Sequence, residues 1–125
     1  MTKTAIVVFS DPKAGGEEAL GRLFNALFLT LELKEKGAEV ELAFQGAGAR
    51  WPEAVTKPGH PANALYNEVR DKVAGVCGGC ADVFAATDGA RAAGVKLVRE
   101  KQIPGTTGIL DLSRYLGADW RLVTF

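Results

Sequence analysis

The chain has 125 residues, 47% of them apolar, and its 15 basic residues balance 15 acidic ones. That length suits one domain over residues 1–125 with its own core, and the balance excludes a disordered, collagenous or coiled-coil polypeptide. Zero net charge provides no general attraction to nucleic acid or to an anionic membrane, so neither partner is expected.

Thr4 to Phe9 is an apolar, mostly β-branched run, which predicts a buried strand. Its apolar core is about five residues long, short of the roughly seven to fifteen of a signal sequence, so the cytoplasm is the expected compartment. Ser10 to Gly16 reads as a polar turn. Leu20, Leu23, Phe24, Leu27, Phe28 and Leu31 then recur at helical spacing, Leu29 and Leu33 widen the stripe, and Gly37 suits the stop. Ala38 to Phe44 alternates apolar and polar residues, as a second strand does. Residues 45–61 form the longest irregular stretch, broken by three glycines and three prolines, and read as a binding loop. Pro61 to Arg70 predicts a helix with Ala62, Leu65, Tyr66 and Val69 on one face.

Val73 to Val76 predicts the third strand, and it runs into Cys77-Gly78-Gly79-Cys80, which holds both cysteines of the chain. A helix is expected from about Cys80 to Thr87, with a break at Asp88-Gly89. Val95 to Val98 reads as the fourth strand and Ile103-Pro104-Gly105 as a turn. Thr106 or Thr107 is placed to cap a helix toward Leu116, with Gly117 as its stop, and Trp120 to Phe125 reads as the last strand. Strand–helix alternation with short connections predicts a parallel sheet covered by helices. Ligands gather at the carboxyl ends of strands in such sheets. The cysteine turn, the 10–16 turn and the 45–61 loop all lie at such ends.

The cysteine pair carries the clearest chemistry. A thiol at a helix N-terminus meets free N–H groups that favour thiolate. The pair suits a nucleophile or sulfur carrier, or a dithiol that cycles with its disulfide; the alternative is a small buried hydrophobe. Zinc would need both cysteines, His60 and a carboxylate or water, so no metal and no cofactor is expected. A C-x-x-C beside strand–helix units suggests thioredoxin. Here the motif follows the third strand and lacks a preceding aromatic, which argues against that fold. Ser10 and Asp11 open either an anion cradle or a capped turn, and Glu17 and Glu18 weigh against the cradle. His60 can act as acid or base or simply face solvent. Trp51, beside Arg50, walls a pocket or anchors its loop. Arg99, Lys101 and Arg114 read as solvated charges.

Three segments together resemble the DsrE-like (DsrE/DsrF, YchN-like) family: Val73 to Ala81 around the cysteines, Thr4 to Asp11, and Leu112 to Leu116. The resemblance covers essentially the whole chain. It implies a three-layer α/β/α domain with a mostly parallel five-stranded sheet, and homo-oligomers, commonly trimers or hexamers. It also implies sulfur relay, with sulfane sulfur carried as a cysteine persulfide between donor and acceptor proteins. The family's carrier cysteine ends the third strand, which matches Cys77. Cys80 is an addition to members with a single cysteine there, and it admits a redox disulfide as the alternative. The expected site is Cys77 and Cys80, flanked by Gly78 and Gly79, with Ser10, Asp11, Trp51 and His60 shaping the pocket. A non-catalytic, oligomeric binding module is the remaining reading.

Overall fold

The computed structural model describes residues 2–125. Five parallel strands form one sheet in the order β4-β3-β2-β1-β5. They are β1 (Lys3–Val8), β2 (Val40–Phe44), β3 (Val73–Cys77), β4 (Leu97–Val98) and β5 (Trp120–Thr124). The helices are α1 (Gly16–Glu35), α2 (Trp51–Val55), α3 (Asn63–Val69), α4 (Gly78–Val83) and α5 (Thr87–Ala92). The expected parallel α/β architecture is present.

The order of strands decides which face each connection covers. The chain steps from β1 to β2 to β3 to β4 in one direction, so right-handed crossovers put all five helices on one face. The return from β4 to β5 passes β1 on the far side, so residues 99–116 cover the other face. Alternation along the strands divides the core accordingly. Ile6, Val8, Leu42, Phe44 and Val76 pack under the helices, whereas Ala5, Val7, Ala43, Cys77 and Val98 pack under Leu110 and Tyr115. Small residues on the second face let a thin cover of extended chain and a single-turn 3-10 helix, Leu112–Leu116, replace a full helix.

α1 ends as its sequence predicts, with Gly37 in the left-handed region at φ 74°. Its buried stripe is centred on Leu23, Ala26, Leu27 and Thr30, while Phe28 stays exposed against Phe24. The 45–61 stretch is more regular than expected: a 3-10 helix, Gly46–Arg50, leads directly into α2. Gly48 serves close approach, since a Cβ there would stand 2.2 Å from the Val8 carbonyl oxygen, whereas Gly46 takes a left-handed φ of 57°. The helix after the cysteines starts at Gly78, and its break falls at Phe84–Ala86, where Ala85 takes a left-handed φ of 54°. Asp88 and Gly89 lie inside α5 instead; Gly89 is there because the Glu53 side chain occupies the space of a Cβ. No helix grows from Thr106 or Thr107. Asp111 caps the 3-10 helix by accepting from Ser113 N–H at 3.0 Å, and Thr106 only turns the chain toward Gly108. No helix among the described residues is long and apolar enough to cross a membrane.

Candidate functional site: the Cys77–Cys80 pair

Cys77 is the last residue of β3 and the N-cap of α4, so strand burial and helix capping act on one sulfur. Cys80 N–H donates to Cys77 Sγ at 3.4 Å. The neighbouring Cys80 side chain is the largest influence pulling the Cys77 thiol down to about 6. Burial opposes the shift, and backbone N–H groups of Cys80, Leu110 and Gly79 add to it. Cys80 moves the other way: holding its proton toward Cys77 raises it, burial raises it further, and the Gly46 N–H partly offsets both. The opposite directions make Cys77 the more acidic thiol of the pair. Both thiols are free. Cys77 is fully buried at 0% exposure, and Cys80 keeps partial exposure.

What seals Cys77 is a strap formed by residues 99–111. Lys101 and Ile109 exchange two antiparallel backbone hydrogen bonds, of 3.0 and 2.8 Å, folding the strap on itself. Gly79 N–H donates to Gly108 O at 2.8 Å, tying the strap to the cysteine turn. Arg99 lies over Gly78, where a Cβ would come within 2.4 Å of its Cγ. Its guanidinium donates to both Asp82 oxygens at 2.9 and 3.4 Å, and Thr107 hydrogen-bonds both Asp82 and Arg99. Arg99, Thr107 and Thr87 together hold the Asp82 carboxyl well below the usual carboxylate range. Arg99 is thus a latch rather than a solvated charge. Arg114 is likewise engaged, with Glu100 at 2.8 Å, Glu41 at 3.1 Å and the Tyr115 ring.

The remaining expected site residues form a second group. Trp51 Nε1–H donates to Ser10 O at 2.7 Å, and Asp11 caps the Pro12–Ala14 turn while pairing with Arg50 at 3.0 Å. The Lys13 N–H, ahead of Arg50, lowers the Asp11 carboxyl. His60 Nδ1 accepts from Ala62 N–H at 3.1 Å and meets the Trp51 ring edge-on at 6.1 Å between centroids. Burial lowers the His60 pKa. Among the described residues, no hydrogen bond or ring contact joins this group to either cysteine. Trp51 is buried and anchors its segment to the core. A separate cleft of 440 Å³ lies at the carboxyl ends of β1 and β5, bounded by Ser10, Asp11, Glu18, Arg22 and Phe125. Among the described residues, no cluster of three or more His, Cys, Asp and Glu could hold a metal ion.

No family model matches the chain. The chain is similar to an uncharacterized protein, MJ0733, of Methanocaldococcus jannaschii: the two are 28% identical over 101 residues, covering 81% of this chain and 78% of that protein. No solved structure matches.

Sequence reasoning passed over the strap. Two short apolar runs, Leu97-Val98 and Ile109-Leu110, flank Pro104-Gly105 and Gly108, which is a hairpin signal of a long-loop kind. Gln45 was also missed. Phe44 pairs with Val76, so the register sets Gln45 beside Cys77 on the strap-covered face. Its side chain is 7% exposed, and its Oε1 has no hydrogen-bond partner among the described residues.

Proposed function

We propose that this protein is a DsrE-like sulfur carrier whose Cys77 thiolate holds sulfane sulfur as a persulfide and passes it to an acceptor thiol. The supporting observation is the Cys77 sulfur at the β3–α4 junction, where it caps α4 by accepting from Cys80 N–H at 3.4 Å and its thiol pKa is lowered. A thiolate present at neutral pH attacks the outer sulfur of a persulfide, and the same donors stabilise the anionic product. Intact-mass and fragment-mass measurements after incubation with a persulfide donor test the reading. The expected result is one added sulfur on the Cys77–Cys80 pair, abolished in the double Cys77→Ser/Cys80→Ser variant. No added sulfur on the wild type overturns it.

Two free thiols set side by side, with Cys80 N–H on Cys77 Sγ at 3.4 Å, favour a second reading, a dithiol redox protein that closes a Cys77–Cys80 disulfide. A pair that stays reduced under mild oxidant removes that reading. We retain a cytosolic homo-oligomer, trimer or hexamer, as part of the proposal. Val83 at 73% and Leu116 at 71% exposure offer apolar contact points. Light scattering in solution tests the subunit count, and a monomer overturns it.

A further inference from the structure

We propose that Cys80 is the sulfur that meets the incoming donor, and that Cys77 receives the sulfane sulfur from it beneath the closed strap. This order of transfer rests on the sulfur-carrier reading. Three observations carry it. Cys77 has no exposed surface, whereas Cys80 keeps some. The strap is fixed to the turn at Gly79 and latched at Asp82, so no outside group touches Cys77 while it is closed. Cys80 N–H donates to Cys77 Sγ at 3.4 Å, which sets the two cysteines side by side for the second transfer.

The chemistry balances without an external oxidant. As Cys80 Sγ attacks the outer sulfur of a persulfide R–S–SH, its proton passes to the adjacent Cys77 Sγ, which acts as general base. The S–S bond of the donor breaks, and RS⁻ leaves with the proton from Cys77 as RSH. Cys80 now carries –S–SH and Cys77 is again a thiolate. Cys77 then attacks the outer sulfur of that group, forming Cys77–S–SH and releasing Cys80 as thiolate. The proton of the new persulfide returns to Cys80.

Timed mass spectrometry with cysteine hydropersulfide tests the order. Cys77→Ser lacks the general base, so it is expected to load more slowly than the wild type and to hold the added sulfur on Cys80. Cys80→Ser is expected to load Cys77 on the order of tenfold more slowly or worse, because strap opening must come first. Adding Asp82→Asn to Cys80→Ser unlatches the strap and is expected to restore loading, which also shows that the variant is folded. Equal rates for Cys80→Ser and wild type, or no restoration by Asp82→Asn, overturns the order while leaving the carrier reading intact. A wild type that never loads removes the carrier reading itself.

Discussion

Cys77 and Cys80 are close to interchangeable by type, yet the structure makes one an anion and the other its proton donor. The largest lowering influence on Cys77 is the Cys80 thiol. Cys80→Ala is therefore expected to move the Cys77 titration upward from about 6 toward the ordinary thiol value of 9.0, read by thiolate ultraviolet absorbance. The same shift makes stability depend on pH. A group whose folded pKa is depressed stabilises the fold above its unfolded value, and the contribution is lost as pH falls through the folded one. Cys77 thus adds stability that grows between about 6 and 9.0, beyond which the raised Cys80 acts in the opposite sense. Urea unfolding of wild type and Cys77→Ser is expected to diverge with rising pH across that window. Gln45 offers a different residue-scale test. An unpartnered buried carbonyl costs about 1–3 kcal/mol. Gln45→Met is accordingly expected to unfold at the same or higher urea concentration than wild type.

At the scale of elements, the strap is the part that decides reactivity. Its latch is an exposed ion pair reinforced by threonines, so its loss is expected to free the strap without unfolding the sheet. Asp82→Asn should speed alkylation of Cys77 severalfold while leaving the far-ultraviolet circular dichroism unchanged. Leu110→Ala differs, because that side chain is fully buried against the Cys77 face. Leucine-to-alanine changes in cores cost about 2–5 kcal/mol, so this variant is expected to lose stability as well as protection of the thiol. The strap is also where the sequence was hardest to read. β1 and β3 announce themselves as short continuous apolar runs, and α1 by the helical spacing of Leu23, Ala26, Leu27 and Thr30. The expected 106–116 helix fails for a physical reason: Thr107 is taken by Asp82, and Ile109 by Lys101, both distant in sequence. The glycines at 48 and 89 misled in the same way. Each answers to a neighbour, Val8 or Glu53, that no local pattern reveals. The cysteine turn itself was legible, since its motif, strand and helix are contiguous, whereas the grouping of Trp51 and His60 with it was not.

Across the whole molecule, one strand order fixes the division of labour between faces. The helices load one side of the sheet with large apolar residues, and the return from β4 to β5 leaves the other side under a cover of chain only one layer thick. β1 and β2 are flanked by strands on both sides and roofed on both faces. Their amides are expected to exchange most slowly with solvent, and those of residues 99–109 much faster. Leu110, which belongs to this cover, packs with Cys77, and its N–H is among the groups that lower the Cys77 thiol. Closure of the strap and negative charge on Cys77 are therefore thermodynamically linked, and linkage is reciprocal. If closing the strap favours the anion, discharging the anion must favour an open strap. A Cys77–Cys80 disulfide carries no charge, so the oxidised protein is expected to show faster amide exchange at 108–110 than the reduced one. The cover would then report the chemical state of the sulfur beneath it to whatever partner touches the outside.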